Sequence, residues 1–159
     1  MKNLKPSHWL VLILIVGYLI YSNLGTILDG NIDKKMHRDL DPNNANGDKI
    51  VAYYVDEDRY SKDYIPFGYQ TGKAEEVGAI LQITKEPVTQ SYSGGFQARA
   101  SALIVELVDC STGEVIGRNG FYPQFPSTYK VGSTVVKVEE SRVRNWVNQE
   151  WAEYLAENQ

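Results

Sequence analysis

An apolar segment close to the N-terminus constrains this chain more than any other feature. The 13 residues from Trp9 to Tyr21 include nine Leu, Ile or Val residues, which together favour membrane insertion by about 3 to 5 kcal/mol. Extended to Leu28, the segment has 20 residues. At about 1.5 Å per residue, a helix of this length covers the hydrocarbon layer of about 30 Å. Residues 9–28 are therefore long enough to form a transmembrane helix.

A cleaved signal peptide is the main alternative for this segment, because signal peptides have apolar cores of similar length. Such a peptide ends with small residues three positions and one position before the cleavage site. The sequence YSNLGTILDG, which follows the apolar core, contains no such pair. Lys2, Lys5 and Trp9 flank the segment as interfacial residues do. We therefore expect a short tail over residues 1–8 and an uncleaved signal anchor, held in the lipid bilayer, over residues 9–28.

The distribution of basic residues predicts the orientation of the anchor. Lys2 and Lys5 directly precede it and favour a cytoplasmic N-terminus. Lys34, Lys35 and Arg38 follow it and favour the reverse orientation. They lie further from the apolar core, however, and long domains cross membranes largely regardless of charge. We expect a single-pass protein of the inner or plasma membrane, with its C-terminal domain outside the cytoplasm.

The rest of the chain is acidic. Lys2 and Lys5 are the only charged residues before Asp29, so residues 29–159 carry 20 acidic and 14 basic residues, a formal net charge of -6. This charge argues against nucleic acid as a partner and favours a basic protein. A chain of this size can bury one core without covalent cross-links. Its single cysteine provides no disulfide framework.

Residues 29–48 are polar and end in Pro, Asn and Gly, which predicts a short juxtamembrane helix followed by a linker. Ile32, Met36 and Leu40 continue a four-residue spacing from Leu28, which suggests a weak dimer seam. The acidic and amide residues that follow are similar to a calcium-binding loop. They lack its glycine at the sixth position and its closing glutamate, so we predict no metal site.

The folded domain is expected over residues 49–159, and its strands show in the alternation of apolar residues. KIVAYYV begins the domain, and EVGAILQIT has apolar residues on one face at period two. A strand and turn are predicted in VTQSYSGG. Residues 96–109 are long enough for a central strand. Either one end of this strand is buried on both faces and the other end on one face, or a bulge near Ala102 turns its side chains to the other face. CSTG at residues 110–113 predicts a hairpin turn, with EVIGRNGFY as the returning strand.

The C-terminal segment predicts an amphipathic helix. VVKV, at residues 135–138, is a possible short strand before it, and the helix covers residues 139–158. Its apolar stripe consists of Val143, Trp146, Val147, Trp151, Tyr154 and Leu155. Glu150 projects beside the stripe, where a partner such as Arg99 or Arg118 is expected. The fold class that follows is α+β: an N-terminal transmembrane helix, then a mainly antiparallel sheet of four to six strands packed by one C-terminal helix.

Few residues with catalytic chemistry occur in this domain. The only histidines are His8 and His37, both outside residues 49–159, so a histidine base or a Ser-His-Asp triad is not expected there. Asp109 and Glu114 flank Cys110 and should raise its pKa, which argues for a structural cysteine. We predict no cofactor.

The remaining candidate site is an aromatic and acidic loop that follows the first strand. Three interpretations stay open: rings that pack on the core, a surface for a ligand or partner, and a carboxylate pair for glycoside hydrolysis. The candidate binding residues are Tyr53, Tyr60, Tyr64, Phe67, Tyr69, Asp56 and Asp58.

The sequence therefore predicts a membrane-anchored protein of the cell envelope whose external domain binds or scaffolds a partner without catalysis. The expected partner is a basic envelope protein or a wall polymer. Two alternatives are a membrane-tethered cell-wall hydrolase that uses carboxylates of the loop, and an inhibitor of a basic lytic enzyme.

Overall fold

The computed structural model describes residues 31–41, 45, 47–128 and 136–158. The predicted tail and membrane anchor, residues 1–28, lie outside these ranges. Among the helices that the structure does describe, none combines the length and the apolar character needed to cross a membrane.

The described chain forms two helices and one five-stranded sheet. Helix α1 contains residues 31–39. The other elements are β1 (Lys49–Tyr54), β2 (Arg59–Ser61), β3 (Val77–Ser91), β4 (Gln97–Asp109), β5 (Val115–Phe121) and α2 (Glu140–Asn158). The strand order in the sheet is β2-β1-β3-β4-β5. The predicted α+β class and the C-terminal helix are confirmed.

The sheet has five strands, within the predicted four to six, but it is mixed, and this corrects the prediction of a mainly antiparallel sheet. β1 runs parallel to β3, from Ile50 beside Ala79 to Tyr54 beside Ile83. The chain leaves β1 through the hairpin with β2 and returns to the same end of the sheet through residues 62–76. The alternation of apolar residues identifies a strand but carries no information about its direction. The other three strand pairs are antiparallel.

The longest strand pair is formed by β3 and β4. They pair without a register shift from Ala79 opposite Asp109 to Ser91 opposite Gln97, so the predicted bulge near Ala102 is absent. β3 continues through Pro87, where the sequence suggested a break. Proline is tolerated there because β1 ends beside Ile83, and the outer part of β3 has a neighbour on one side only.

The hairpin predicted between β4 and β5 is confirmed. Gly113 has a φ of +72°, a conformation that glycine adopts without steric cost. The Asp109 carboxylate is buried in the turn and accepts hydrogen bonds from Ser111 Oγ at 2.7 Å and the backbone N–H of Thr112 at 2.7 Å. Tyr154 of α2 donates to its other oxygen at 3.0 Å. This carboxylate therefore joins the turn to the helix.

α2 covers one face of the sheet. Val143, Val147 and Trp151 are buried against β1, β3 and β4, and Trp151 Nε1 donates a hydrogen bond to the Asp48 carbonyl at 2.9 Å. Residues 136–138 before the helix are irregular, because Val138 packs into the same core without pairing with a strand. The possible strand predicted at VVKV is not formed over these three residues.

α1 packs on the opposite face of the sheet. Ile32 and Met36 are buried with Val51, Val77 and Cys110. The α1 residues lie in the segment predicted to form a juxtamembrane helix and linker, and their apolar row is the predicted dimer seam. In the structure, Ile32 and Met36 of that row instead cover the sheet of their own chain. The described residues thus form three layers, helix on sheet on helix.

Candidate functional site

The predicted contact residues begin with a cluster on the side of the sheet that α1 covers. Tyr53 donates a hydrogen bond from its hydroxyl to Asp58 Oδ1 at 2.8 Å, and this bond, with partial burial, raises the pKa of Tyr53. The rings of Tyr53 and Tyr60 lie with their centroids 4.9 Å apart. Three of the seven predicted residues are therefore in mutual contact.

α1 completes this cluster with two side chains that the sequence analysis did not select. His37 meets the ring of Tyr60 edge to face at 5.0 Å, and its Nε2 lies 3.0 Å from the backbone oxygen of Asp58. Asp33 Oδ1 accepts a hydrogen bond from the Tyr60 backbone N–H at 2.7 Å. Asp33 and His37 are four residues apart and therefore share one face of the helix. This spacing is the sequence feature that could have identified them as part of the cluster.

The acidic turn between β1 and β2 is held by hydrogen bonds and ion pairs. Asp56 Oδ2 accepts a hydrogen bond from the backbone N–H of Lys85 at 2.9 Å. Glu57 pairs with Lys85 and, at 3.0 Å, with Arg59. Hydrogen bonds from these two cations lower the pKa of the Glu57 carboxyl. The turn is thus connected to β3 as well as to β2.

Tyr64 and Tyr69 lie on the other side of the sheet, where both pack partly against the main core. Between them, Ile65 is fully buried. The neighbouring Tyr54 donates its hydroxyl to Asp63 Oδ2 at 2.9 Å, and burial followed by the charge of Asp63 raises the pKa of Tyr54. Core packing, one of the three open interpretations, thus describes these two predicted residues.

Phe67 is the predicted residue that projects furthest into solvent, with 84% of its surface exposed. It lies in a 3-10 turn, Phe67–Tyr69. The loop around it is held by a hydrogen bond from the Tyr69 N–H to the Pro66 carbonyl at 2.9 Å and one from Gln70 Nε2 to the Ile65 carbonyl at 2.8 Å. An exposed aromatic ring is therefore mounted on an ordered loop.

The seven residues do not form one continuous surface. Tyr53, Tyr60 and Asp58 form a cluster beside α1, Asp56 lies in the adjacent turn, and Phe67 stands alone beyond the buried Ile65. Tyr64 and Tyr69 contribute to the opposite core. Alternation along β1 places Tyr53 on one side of the sheet and Tyr54 on the other, and Tyr64 and Tyr69 pack against the core that contains Tyr54.

Cys110 and Glu150 complete the comparison with the sequence analysis. Burial, together with the carboxylate of Asp109, raises the pKa of the Cys110 thiol to about 12, in the predicted direction. Neither partner suggested for Glu150 pairs with it in the described residues: Arg118 pairs across the strands with Glu106, and Arg99 lies beside residues 136–138. The Glu150 carboxylate lies over Gly117 of β5. In the ranges that the structure describes, no three His, Cys, Asp or Glu side chains are placed to hold a metal ion.

Comparisons of this chain with protein-family models, with curated proteins and with solved structures found no match.

Proposed function

We propose that this chain is a single-pass membrane protein whose C-terminal domain acts outside the cytoplasm as a non-catalytic binding or scaffolding domain. The apolar segment of residues 9–28 provides the transmembrane signal anchor. Lys2 and Lys5 hold its N-terminus in the cytoplasm. The domain then acts in the cell envelope at a short distance from the bilayer.

The observation that supports a binding function is the exposure of Phe67 on an ordered loop. An aromatic ring has few rotatable bonds and a large apolar area, so its burial against a partner costs little conformational entropy. The hydrogen bonds around residues 65–70 reduce that cost further, because the loop is already ordered. This exposure supports Phe67 as the central contact of the proposed interface.

The charge of the domain favours a basic partner. Residues 29–159 carry a net charge of -6, and the Asp58 side chain near β2 is 78% exposed. Such a surface speeds the encounter with a positively charged protein, through steering that weakens with salt. A basic lytic enzyme that is inhibited on binding is one partner of this kind.

The contacts of the loop carboxylates favour binding over hydrolysis. A glycosidase needs one carboxyl group with a raised pKa to act as general acid. Glu57 has a lowered pKa, while Asp56, Asp58 and Asp63 accept hydrogen bonds from Lys85, Tyr53 and Tyr54. These partners hold the carboxylates in structural roles.

Photo-cross-linking in intact membranes tests this proposal. A photoreactive phenylalanine replaces Phe67 in the full chain, and a matched control places it at Tyr122, which is 56% exposed. We expect one basic protein to be cross-linked from position 67 and not from position 122, with a yield that falls as salt rises.

Purified partner then permits a quantitative check. Phe67→Ala should weaken its affinity about tenfold or more, as expected when a central aromatic contact is removed. Phe96→Ala, at a second exposed ring, should leave the affinity unchanged. Equal affinities for the native chain and Phe67→Ala, or a loss of folding stability in Phe67→Ala, would contradict the role proposed for this ring.

A further inference from the structure

A groove of about 420 Å³ lies where β3 and β4 pass the N-terminal end of α2. Tyr54 and Tyr64 form one wall, and residues 136–138 form another. The floor includes Ser101 and Leu103 of β4. Its volume is within the range of small-molecule sites.

Three basic side chains line this groove: Lys85 of β3, Arg99 of β4 and Lys137 before α2. Lys85 pairs with Glu57. Across the part of the chain that the structure describes, Arg99 and Lys137 form neither an ion pair nor a side-chain hydrogen bond. Arg99 and Lys137, both exposed to solvent, are thus two cations without a protein partner among the described residues that border one cavity of an otherwise acidic domain.

The acidic end of the same groove does not neutralise them. A second cavity of about 290 Å³ shares Tyr54, Tyr64 and Lys137 with the first and is bordered by Asp63 and Glu140. Both acids already have partners. Asp63 lies 3.9 Å from the Arg59 guanidinium, and Glu140 pairs with Arg144 at 2.7 Å. The unsatisfied charge in the groove is therefore positive.

We propose that this groove is an anion-binding site for a phosphate ester, with Arg99 and Lys137 as the residues that hold the phosphate. A guanidinium offers two parallel N–H donors to phosphate oxygens, and a lysine adds a mobile ammonium. Lys85 is already paired with Glu57, so the free charge comes from Arg99 and Lys137, and two cations match a phosphate better than a single carboxylate. The remaining volume accommodates the organic part of the ester against Tyr64 and Val136, which are only partly buried.

This site is separate from the Phe67 contact, since Phe67 lines neither cavity. The phosphate ester can come from a lipid headgroup or from a soluble molecule or wall polymer, and both present the same chemistry. The Phe67 proposal can fail while this one holds, and the reverse is equally true.

The test is a titration of the full chain in non-ionic detergent micelles with inorganic phosphate and with glycerol 3-phosphate at constant ionic strength. Binding is followed by calorimetry and by NMR shifts of the β4 amides. We expect saturable binding with a Kd on the order of 1 mM, typical of a small ligand that makes few contacts. Arg99→Gln and Lys137→Gln should each raise that Kd about tenfold, the loss expected for one charge-assisted hydrogen bond.

Lys34→Gln is the matched control, because it removes the same charge from an exposed position on α1, at the opposite face of the sheet. It should leave the Kd unchanged. Absence of saturation at constant ionic strength would overturn the proposal. So would equal Kd values for the native chain and both groove variants.

Nanodiscs then separate the two sources of phosphate. If the groove holds lipid headgroups, adding phosphatidylglycerol to phosphatidylcholine nanodiscs should raise the apparent Kd for glycerol 3-phosphate by competition. If the ligand is soluble, the Kd should be the same in both nanodiscs. In both kinds of nanodisc, Arg99→Gln should still raise the Kd for glycerol 3-phosphate. If it does not, the proposed site is wrong.

Discussion

At the scale of single residues, two glycines let the segment before β1 touch the start of β3. The Gly47 N–H donates a hydrogen bond to the Val77 carbonyl at 3.2 Å. A Cβ atom at Gly78 would overlap the carbonyl oxygen of Gly47. The obstructing atom belongs to the backbone, so no side-chain rotation can relieve the overlap. Gly78 is required by close approach and not by an unusual φ.

Gly78→Ala should therefore lower the free energy of unfolding by about 2 to 3 kcal/mol, the upper range for overpacked sites. Gly68→Ala is the matched control, since a Cβ at Gly68 meets no atom within 4 Å. It should change stability by less than about 0.5 kcal/mol. Urea unfolding measures both, and similar values for the two variants would show that the close approach is absent.

Asp109 is the residue whose ionisation bears most directly on the fold. Burial raises its pKa, but hydrogen bonds from Ser111, Thr112 and Tyr154 lower it by more, so the pKa of this carboxyl lies below its ordinary value. A carboxyl with a lowered folded-state pKa stabilises the protein above its unfolded-state pKa of 3.8. That contribution disappears as the pH falls through the lower, folded-state pKa.

Asp109→Asn should cost about 1 to 3 kcal/mol at pH 7, because it removes the charge that these donors stabilise. The difference from the native chain should shrink as the pH falls below 3.8. Glu114→Gln provides the control, since it removes an exposed acid from the same turn. Denaturant unfolding between pH 2 and 7 measures the free energy of unfolding of each variant. If the difference between Asp109→Asn and the native chain does not change with pH, the charge of Asp109 does not stabilise the fold.

Among the helices and strands, the packing of α1 on the sheet changes the interpretation of the predicted site most. α1 buries Ile32 and Met36 against the sheet, and it brings His37 and Asp33 to the β1–β2 hairpin. The helix therefore forms part of the packed domain. Tyr53 and Tyr60, predicted as part of a partner surface, contact each other, and Tyr60 also contacts His37 of this helix.

Met36→Ala tests this docking, because the Met36 side chain is only 1% exposed. Truncation of a buried methionine should cost about 2 to 4 kcal/mol. Lys35→Ala, at an exposed position of the same helix, should be nearly neutral. If both variants unfold at the denaturant concentration of the native chain, residues 31–39 act as a free linker.

At the scale of the whole molecule, the proposed topology can be tested with a single added thiol. Cys110 is buried and has a pKa of about 12, so it should react very slowly with a membrane-impermeant maleimide in the folded state. Ser93→Cys places a thiol at an exposed position in the hairpin between β3 and β4. The native chain then serves as the background control.

Intact cells that express the Ser93→Cys variant should be labelled, whereas cells that express the native chain should not. The physical reason is that an external domain exposes the added thiol while its fold protects Cys110. Labelling that requires lysis would place the domain in the cytoplasm and contradict the envelope function.

The sequence determined the features that depend on neighbouring residues. Except for the short strand β2, which lies in the segment predicted as a loop, the strands follow from side-chain periodicity, and so does the stripe of α2. The Gly113 hairpin follows from turn chemistry, which also acts over a few residues. These features could be predicted because their causes are local.

Only the tertiary structure decided which distant segments meet. The parallel pairing of β1 with β3, the docking of α1 and the groove that combines Arg99 with Lys137 join residues far apart in the chain. An apolar face in the sequence shows that a segment needs cover, but many surfaces can supply it. Which surface covers a segment depends on the shape, strand register and charge of all segments together. The pattern of residues within one segment does not contain this information.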